Sequence, residues 1–231
     1  MNIILSEGLR ILPILIGVLA VVFVPFVSKV AEWFTTLIHE VGHGIIAVPF
    51  GGRVGGIHLH SDGSGHADTQ YSGFFVTPVR IFSLLMGYAF PVYLGVSLLI
   101  TAYYKNVNVG SWILGIIGLI LLFSIRSWFG FLIVLVYEAL FLYYFHSSIS
   151  AESTIDFMVF AGFLFTIRGL IDIVMVGLNV FEDQVDGESD FHILEEEVFF
   201  PPKFWYIFFL VLHAAILTFF FLKYFPLTLS F

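Results

Sequence analysis

The chain has 231 residues, 59% of them hydrophobic and 11% charged, with 29 Phe, 10 Tyr and 4 Trp. Soluble domains carry about 25% charged residues and rarely expose large apolar patches, so an ordinary soluble fold is excluded and an apolar solvent, the lipid bilayer, is implied. The formal net charge of −8 and the lack of Cys exclude a nucleic-acid surface, disulfides, a cysteine nucleophile and a thiolate metal site.

Seven apolar segments follow one another, at 11–27, 31–49, 80–103, 109–125, 128–146, 157–180 and 204–225. At about 20 residues per span they predict an all-α integral membrane protein with about six or seven transmembrane helices. All of it forms one domain over 1–231, with no room for a separate soluble part. The first run has no clean small-residue cleavage site and reads as a retained anchor, not a signal peptide. Between the second and third segments, 50–77 is glycine-rich, with Gly51, Gly52, Gly55, Gly56, Gly63, Gly65 and Gly73. No stable helix tolerates that density. Partial alternation over 53–60 and a turn-rich cluster at 61–65 predict a membrane-associated β-hairpin directly after the second helix. Backbone of this kind at membrane depth must be covered by protein or line a water-filled cavity. Arg126 and Ser127 alone separate the fourth and fifth segments, which implies a tight connection. Eight of the 17 acids lie in 182–197, without Lys or Arg, so 181–202 is expected to be a solvated acidic loop. No internal repeat is visible. Placing the N-terminus, the hairpin region, Arg126 and the acidic loop on one side gives it Arg10, Arg53, Arg80, Arg126 and Lys203. The other side holds Lys29, Lys105 and Lys223, an asymmetry that favours a cytoplasmic N-terminus.

The chemistry sits in the second segment, as His39-Glu40-Val41-Gly42-His43. Spaced i, i+4 on a helix, the two imidazoles stand one turn apart on one face and can share one metal ion. Glu40 beside them has the role of the general acid/base of zinc peptidases. Zinc lowers the pKa of its bound water to about 7, which makes a nucleophile available at neutral pH. A chance match to this pattern in a chain of this length has odds on the order of one in a hundred. Two His and a Glu inside an apolar helix are expensive there and mark a functional site. Gly42 and Gly44 leave the flanking faces thin for a neighbouring helix or a substrate.

A catalytic zinc takes three protein ligands and keeps one position open. Asp172 is the best third candidate. The helices over 31–49 and 157–180 are expected to run in the same direction, and His43 and Asp172 each lie about one turn past the midpoint. Arg168, four residues before Asp172, offers the alternative of a simple intramembrane ion pair. The two roles are compatible, because ligating carboxylates are commonly held by a further partner. Asp190 is the next candidate and Glu138 a poorer one. His58, His60, Asp62, His66 and Asp68 cluster in the hairpin, where a mobile loop is a less exact scaffold than a helix. His146 and His213 fall near span ends or beyond the motif's reach.

Several stretches now align with a known family. They are the His39–His43 helix with Gly44 and Ile45, the Gly-Gly-Arg-Val-Gly-Gly-Ile run at 51–57, and His-Ser-Asp-Gly-Ser-Gly at 60–65. Met-Gly-Tyr-Ala-Phe-Pro at 86–91, Ile-Arg-Ser-Trp-Phe-Gly at 125–130, Ile-Arg-Gly-Leu-Ile-Asp-Ile at 167–173 and Glu-Ser-Asp-Phe-His-Ile-Leu at 188–194 also fit. Over most of its length the chain resembles the site-2 protease class of intramembrane zinc metallopeptidases, in its small, domain-poor branch. The resemblance implies a hydrolase that cuts peptide bonds within or beside a membrane, with Zn2+ as cofactor. It carries His39 and His43 over as ligands and Glu40 as the acid/base. It places the third ligand on an aspartate of a later helix, in an Asp-Gly pair in the better-known members; here Ile173 follows Asp172.

The leading expectation is therefore a zinc endopeptidase of the cell membrane, in a bacterium the inner membrane. Its partners would be the bilayer and a membrane-protein substrate, locally unwound and paired with an edge of the hairpin. A non-proteolytic binding or chaperone module would have no need of Glu40. A transporter is suggested by intramembrane charges but not by the compact zinc spacing or the lack of repeats.

Overall fold

The computed structural model describes residues 2–72, 76–145, 149–182, 189–198 and 200–224. His146 and part of the acidic run, 183–188, lie outside them. The chain divides into two compact units, Met1–Asp172 and Ile173–Phe231.

Helix α1 (Asn2–Phe23) and helix α2 (Pro25–Ala47) meet at Val24. A proline costs nothing in the first turn of a helix but pushes the residue before it out of helical geometry. Val24 is accordingly extended, at φ −77 and ψ 118, and the two axes turn through 92°. The expected pair of separate spans, 11–27 and 31–49, is thus one bent pair. Helices α3 (Val76–Tyr103), α4 (Val107–Ser124), α5 (Trp128–Tyr144), α6 (Ala151–Phe181), α7 (Asp190–Val198) and α8 (Pro202–Tyr224) follow. Of the described helices, α3, α4, α6 and α8 are long and apolar enough to cross a membrane, and the bent pair brings the number to five. Among the described residues this does not confirm the expected six or seven, because α1 and α2 pass only together. In addition, the 17 residues of α5 reach about 26 Å against a hydrocarbon core of about 30 Å.

The hairpin forms where it was expected. Strand β1 (Arg53–Leu59) pairs antiparallel with β2 (Gly65–Gln70), with Val54 opposite Thr69 and Ile57 opposite Ala67. That register leaves one extra residue on β1, a bulge built on Gly55 and Gly56. Ile57, Leu59 and Ala67 face inward, while His58, His66 and Asp68 point outward. The turn is fixed on α2: Trp33 Nε1 donates to the Ser61 carbonyl, Thr36 Oγ1 donates to the Gly63 carbonyl, and Lys29 Nζ donates to the Asp62 carbonyl. Gly63 has φ +95, and a Cβ there would lie 2.4 Å from Glu32 Oε1, so only glycine suits this turn. Asp62 closes it by accepting from the Ser64 amide and hydroxyl, bonds that hold its carboxyl below the usual range.

In the first unit, small residues let the helices approach closely. A Cβ on Gly42 of α2 would lie 2.8 Å from the Met86 carbonyl of α3, and one on Gly95 of α3 would lie 2.6 Å from the Gly162 carbonyl of α6. The core between them centres on Leu37, Ile38, Val41, Ile57, Leu98 and Val134. The apolar surfaces of Phe26, Trp112, Phe123 and Trp128 point outward, as suits a lipid-facing protein. In the second unit, Phe191 packs edge-on against Tyr206 and Phe209, and Tyr206 Oη donates to the Ile173 carbonyl. Buried Phe191 and Leu194 give α7 an apolar face, so a helix stands within the stretch read as an acidic loop.

Candidate metal centre

His39 and His43 project from the same side of α2, with their Nε2 atoms 3.2 Å apart. Donors in a tetrahedral zinc site, with Zn–N bonds of about 2.0–2.1 Å, lie about 3.3 Å from one another. The pair therefore already has the separation that one zinc ion requires. His43 Nδ1 lies 2.9 Å from the Ser83 carbonyl of α3. A carbonyl only accepts, so Nδ1 carries the hydrogen and the Nε2 lone pair is left for a metal. Ser83 acts twice, since its hydroxyl donates to the His43 carbonyl at 2.8 Å and meets Tyr71 Oη at 2.9 Å. Tyr88 stands edge-on to the His39 ring at 4.6 Å.

Glu40 completes the group. Its Oε2 is 4.0 Å from His43 Nε2, and potential ligand atoms of His39, Glu40 and His43 all lie within 4.8 Å of one another. Glu40 and His43 are only 5% and 6% exposed, and Glu40 borders an internal space. That space is a cavity of about 580 Å³ between α2, β1 and α4, bordered by Glu40, Gly44, Val54, Ile57, Ile120 and Phe123. An acid beside two metal-ready imidazoles, at the wall of a mostly apolar cavity, suits proton transfer at a bond held in that cavity.

Asp172 lies outside the His39–Glu40–His43 group. Its Oδ1 is 3.2 Å from Arg168 Nη2, and Arg168 Nη2 is 3.7 Å from Glu32 Oε2 on α2. Glu32 in turn meets Lys29 at 3.1 Å. This chain of alternating charges runs from the hairpin turn to Asp172. The ion pair weighed in the sequence is present, and the carboxylate is turned to Arg168. Glu138 is elsewhere, on α5 against Gly118 of α4. Asp190 opens α7 and His213 lies on α8, with its ring on the Phe209 carbonyl; both belong to the second unit.

Sequence reasoning missed the wall formed by α3. A Cβ on Gly87 would lie 2.6 Å from His43 Cε1 and 2.8 Å from His39 Nε2, so the absence of a side chain makes the space for both rings. The Met-Gly-Tyr run at 86–88 was the signal: a lone glycine in an apolar helix marks a close approach. It also missed the third element of the hairpin. The Arg126 amide donates to the Ile57 carbonyl at 2.8 Å and Ser127 Oγ accepts from the Leu59 amide at 2.9 Å. The outer edge of β1 is therefore occupied over 57–59, and from β1 it is Val54 and Ile57 that border the cavity.

No curated protein and no solved structure matches the chain significantly. A family model described as Peptidase M50B-like matches residues 12–220, which includes the His39–His43 motif, the hairpin, α3 with Gly87, and Asp172. The chain accordingly belongs to the Peptidase M50B-like family, the site-2 protease family.

Proposed function

We propose that this protein is an intramembrane zinc endopeptidase that hydrolyses peptide bonds in membrane-embedded or membrane-adjacent segments of other proteins. The observation that carries the reading is the pair of imidazoles with Nε2 atoms 3.2 Å apart, next to a buried Glu40 that itself borders a mostly apolar cavity. A binding module would need no buried acid there, and a transport pathway would need no such pairing.

His39 and His43 would hold the zinc, with Asp172 as third ligand. Asp172 needs a side-chain rotation away from Arg168 to serve, and the pairing of Arg168 with Glu32 gives the guanidinium a partner when that happens. When bound, zinc supplies Lewis-acid polarisation and a water of lowered pKa. Glu40 accepts the proton of the attacking water and passes it to the leaving amide nitrogen, so that the amine departs neutral. Its burial keeps bulk water from competing for that proton. The apolar residues of α4, Ile120 and Phe123, accept the side chains of an unwound segment. The open part of β1, from Arg53 to the Gly55–Gly56 bulge, offers main-chain groups to its extended backbone. Substrates with helix-weakening residues near the scissile bond would be favoured, because pairing requires local unwinding.

The test is cleavage in proteoliposomes of a membrane-spanning substrate, with products mapped by mass spectrometry. Cuts inside or next to the spanning segment, abolished by a zinc chelator and restored by Zn2+, support the reading. Cleavage that persists in excess chelator rejects it.

A further inference from the structure

We propose a second divalent-metal site, on the outward face of the hairpin, formed by His58, His66 and Asp68. The residues were expected to cluster in the hairpin, and they stand on its two paired strands. His58 is directly opposite His66 in the register, and the two rings stack at 4.8 Å with 9° between their planes. Asp68, two residues after His66, lies on the same face. Its Oδ2 is 3.4 Å from His58 Nε2 and its Oδ1 is 3.9 Å from His66 Nε2. Potential ligand atoms of the three residues fall within 4.8 Å of one another. Donors around a tetrahedral zinc are about 3.3 Å apart, so small side-chain rotations bring all three onto one ion.

The surroundings favour such movement. Gly55, in the bulge across from Asp68, has only Asp68 atoms within reach of a built Cβ, so the bulge itself adds no side chain beside Asp68. Arg126, the cation packed over Gly56, turns its Nη1 to the Phe123 and Ile125 carbonyls. His60 places a further ring 6.0 Å from His66, within range of a fourth position otherwise left to water. Two imidazoles and one carboxylate select borderline ions such as Zn2+ over Mg2+ or Ca2+, which prefer all-oxygen sets. The site is separate from the one on α2: it uses the opposite face of the hairpin from Gly65, whose backbone lies against Thr36 and near Glu40. His66 and Asp68 are more than half exposed, which suits an exchangeable ion. Occupancy would tie β1 to β2 and stiffen the strands that border Glu40, a dependence of turnover on free metal distinct from the catalytic requirement.

The experiment is a Zn2+ titration of the full-length chain in detergent against a chromophoric chelator. The expected stoichiometry is two ions per chain in the wild type and one in the His39→Ala/His43→Ala double variant. His58→Asn or Asp68→Asn alone should lower the wild-type value from two to one by weakening that equivalent at least about 100-fold, with His66→Gln as a further check on folding grounds. One ion in the wild type, unchanged by His58→Asn and Asp68→Asn, would overturn the proposal. So would an ion that stays bound in the His39→Ala/His43→Ala background after His58→Asn and Asp68→Asn are both added. A single ion that survives His39→Ala/His43→Ala but not His58→Asn would support the hairpin site while rejecting the site on α2.

Discussion

Replacing Gly87 by Ala tests whether α3 shapes the metal centre. The added Cβ would sit 2.6 Å from His43 Cε1 and 2.8 Å from His39 Cε1 and Nε2. Favourable carbon contacts begin near 3.5 Å, so the rings would have to retreat by roughly 0.7–0.9 Å. Metal–ligand distances tolerate about 0.2 Å. Gly87→Ala is therefore expected to weaken zinc binding by at least about 100-fold, near 2.8 kcal/mol at 1.4 kcal/mol per decade. The fold should survive, since crowding a packed interior by one methyl costs about 1–3 kcal/mol. Zinc competition against a chromophoric chelator gives the affinity, and thermal unfolding in detergent gives the stability. Gly17→Ala is the control, because its Cβ would meet nothing closer than Phe160 Cε2 at 3.9 Å; both zinc binding and folding should be unaffected. A Gly87→Ala protein that binds zinc as tightly as the wild type would refute the placement of the two imidazoles against α3.

Asp172→Asn should empty the α2 site, whereas Arg168→Gln should leave zinc bound; metal analysis of the two proteins decides, and equal metal content in both would reduce Asp172 to the partner of Arg168. Gly65→Val should abolish cleavage with zinc retained, because its Cβ would lie 2.6 Å from Thr36 Cγ2 and 3.5 Å from Glu40 Oε1 and would push β2 off α2 at a cost of about 1–3 kcal/mol. Wild-type turnover in that variant would show that the hairpin does not set the geometry around Glu40.

The elements that could be read in the sequence are those governed by local chemistry. The i, i+4 histidines and the glycine density of 50–77 pointed to the facing imidazole pair and the hairpin, because spacing and backbone freedom are local properties. The bend at Val24 was equally local: Pro25 near the end of the first apolar run marks it, yet hydropathy alone reads two spans. What escaped depended on tertiary approach. The roles of Ser83, Gly87 and Tyr88 arise only when α3 packs on α2, and Ile125–Ser127 joins the hairpin from about 70 residues away. Helix α7 was hidden by its charge, since the buried pair Phe191 and Leu194 is too short a pattern to outweigh the acids around it. The charge chain Lys29–Glu32–Arg168–Asp172 was half visible, as an i, i+4 pair on α6; its continuation to α2 was not.

Glu40→Gln compared with the wild type is the most direct measurement of the central claim, with zinc content and cleavage of a membrane-spanning substrate recorded on the same preparations. The amide keeps the shape of the side chain but cannot accept and return a proton. The account predicts that Glu40→Gln retains the α2-site zinc and loses detectable cleavage. Cleavage by Glu40→Gln at the wild-type rate, with zinc bound, would contradict it.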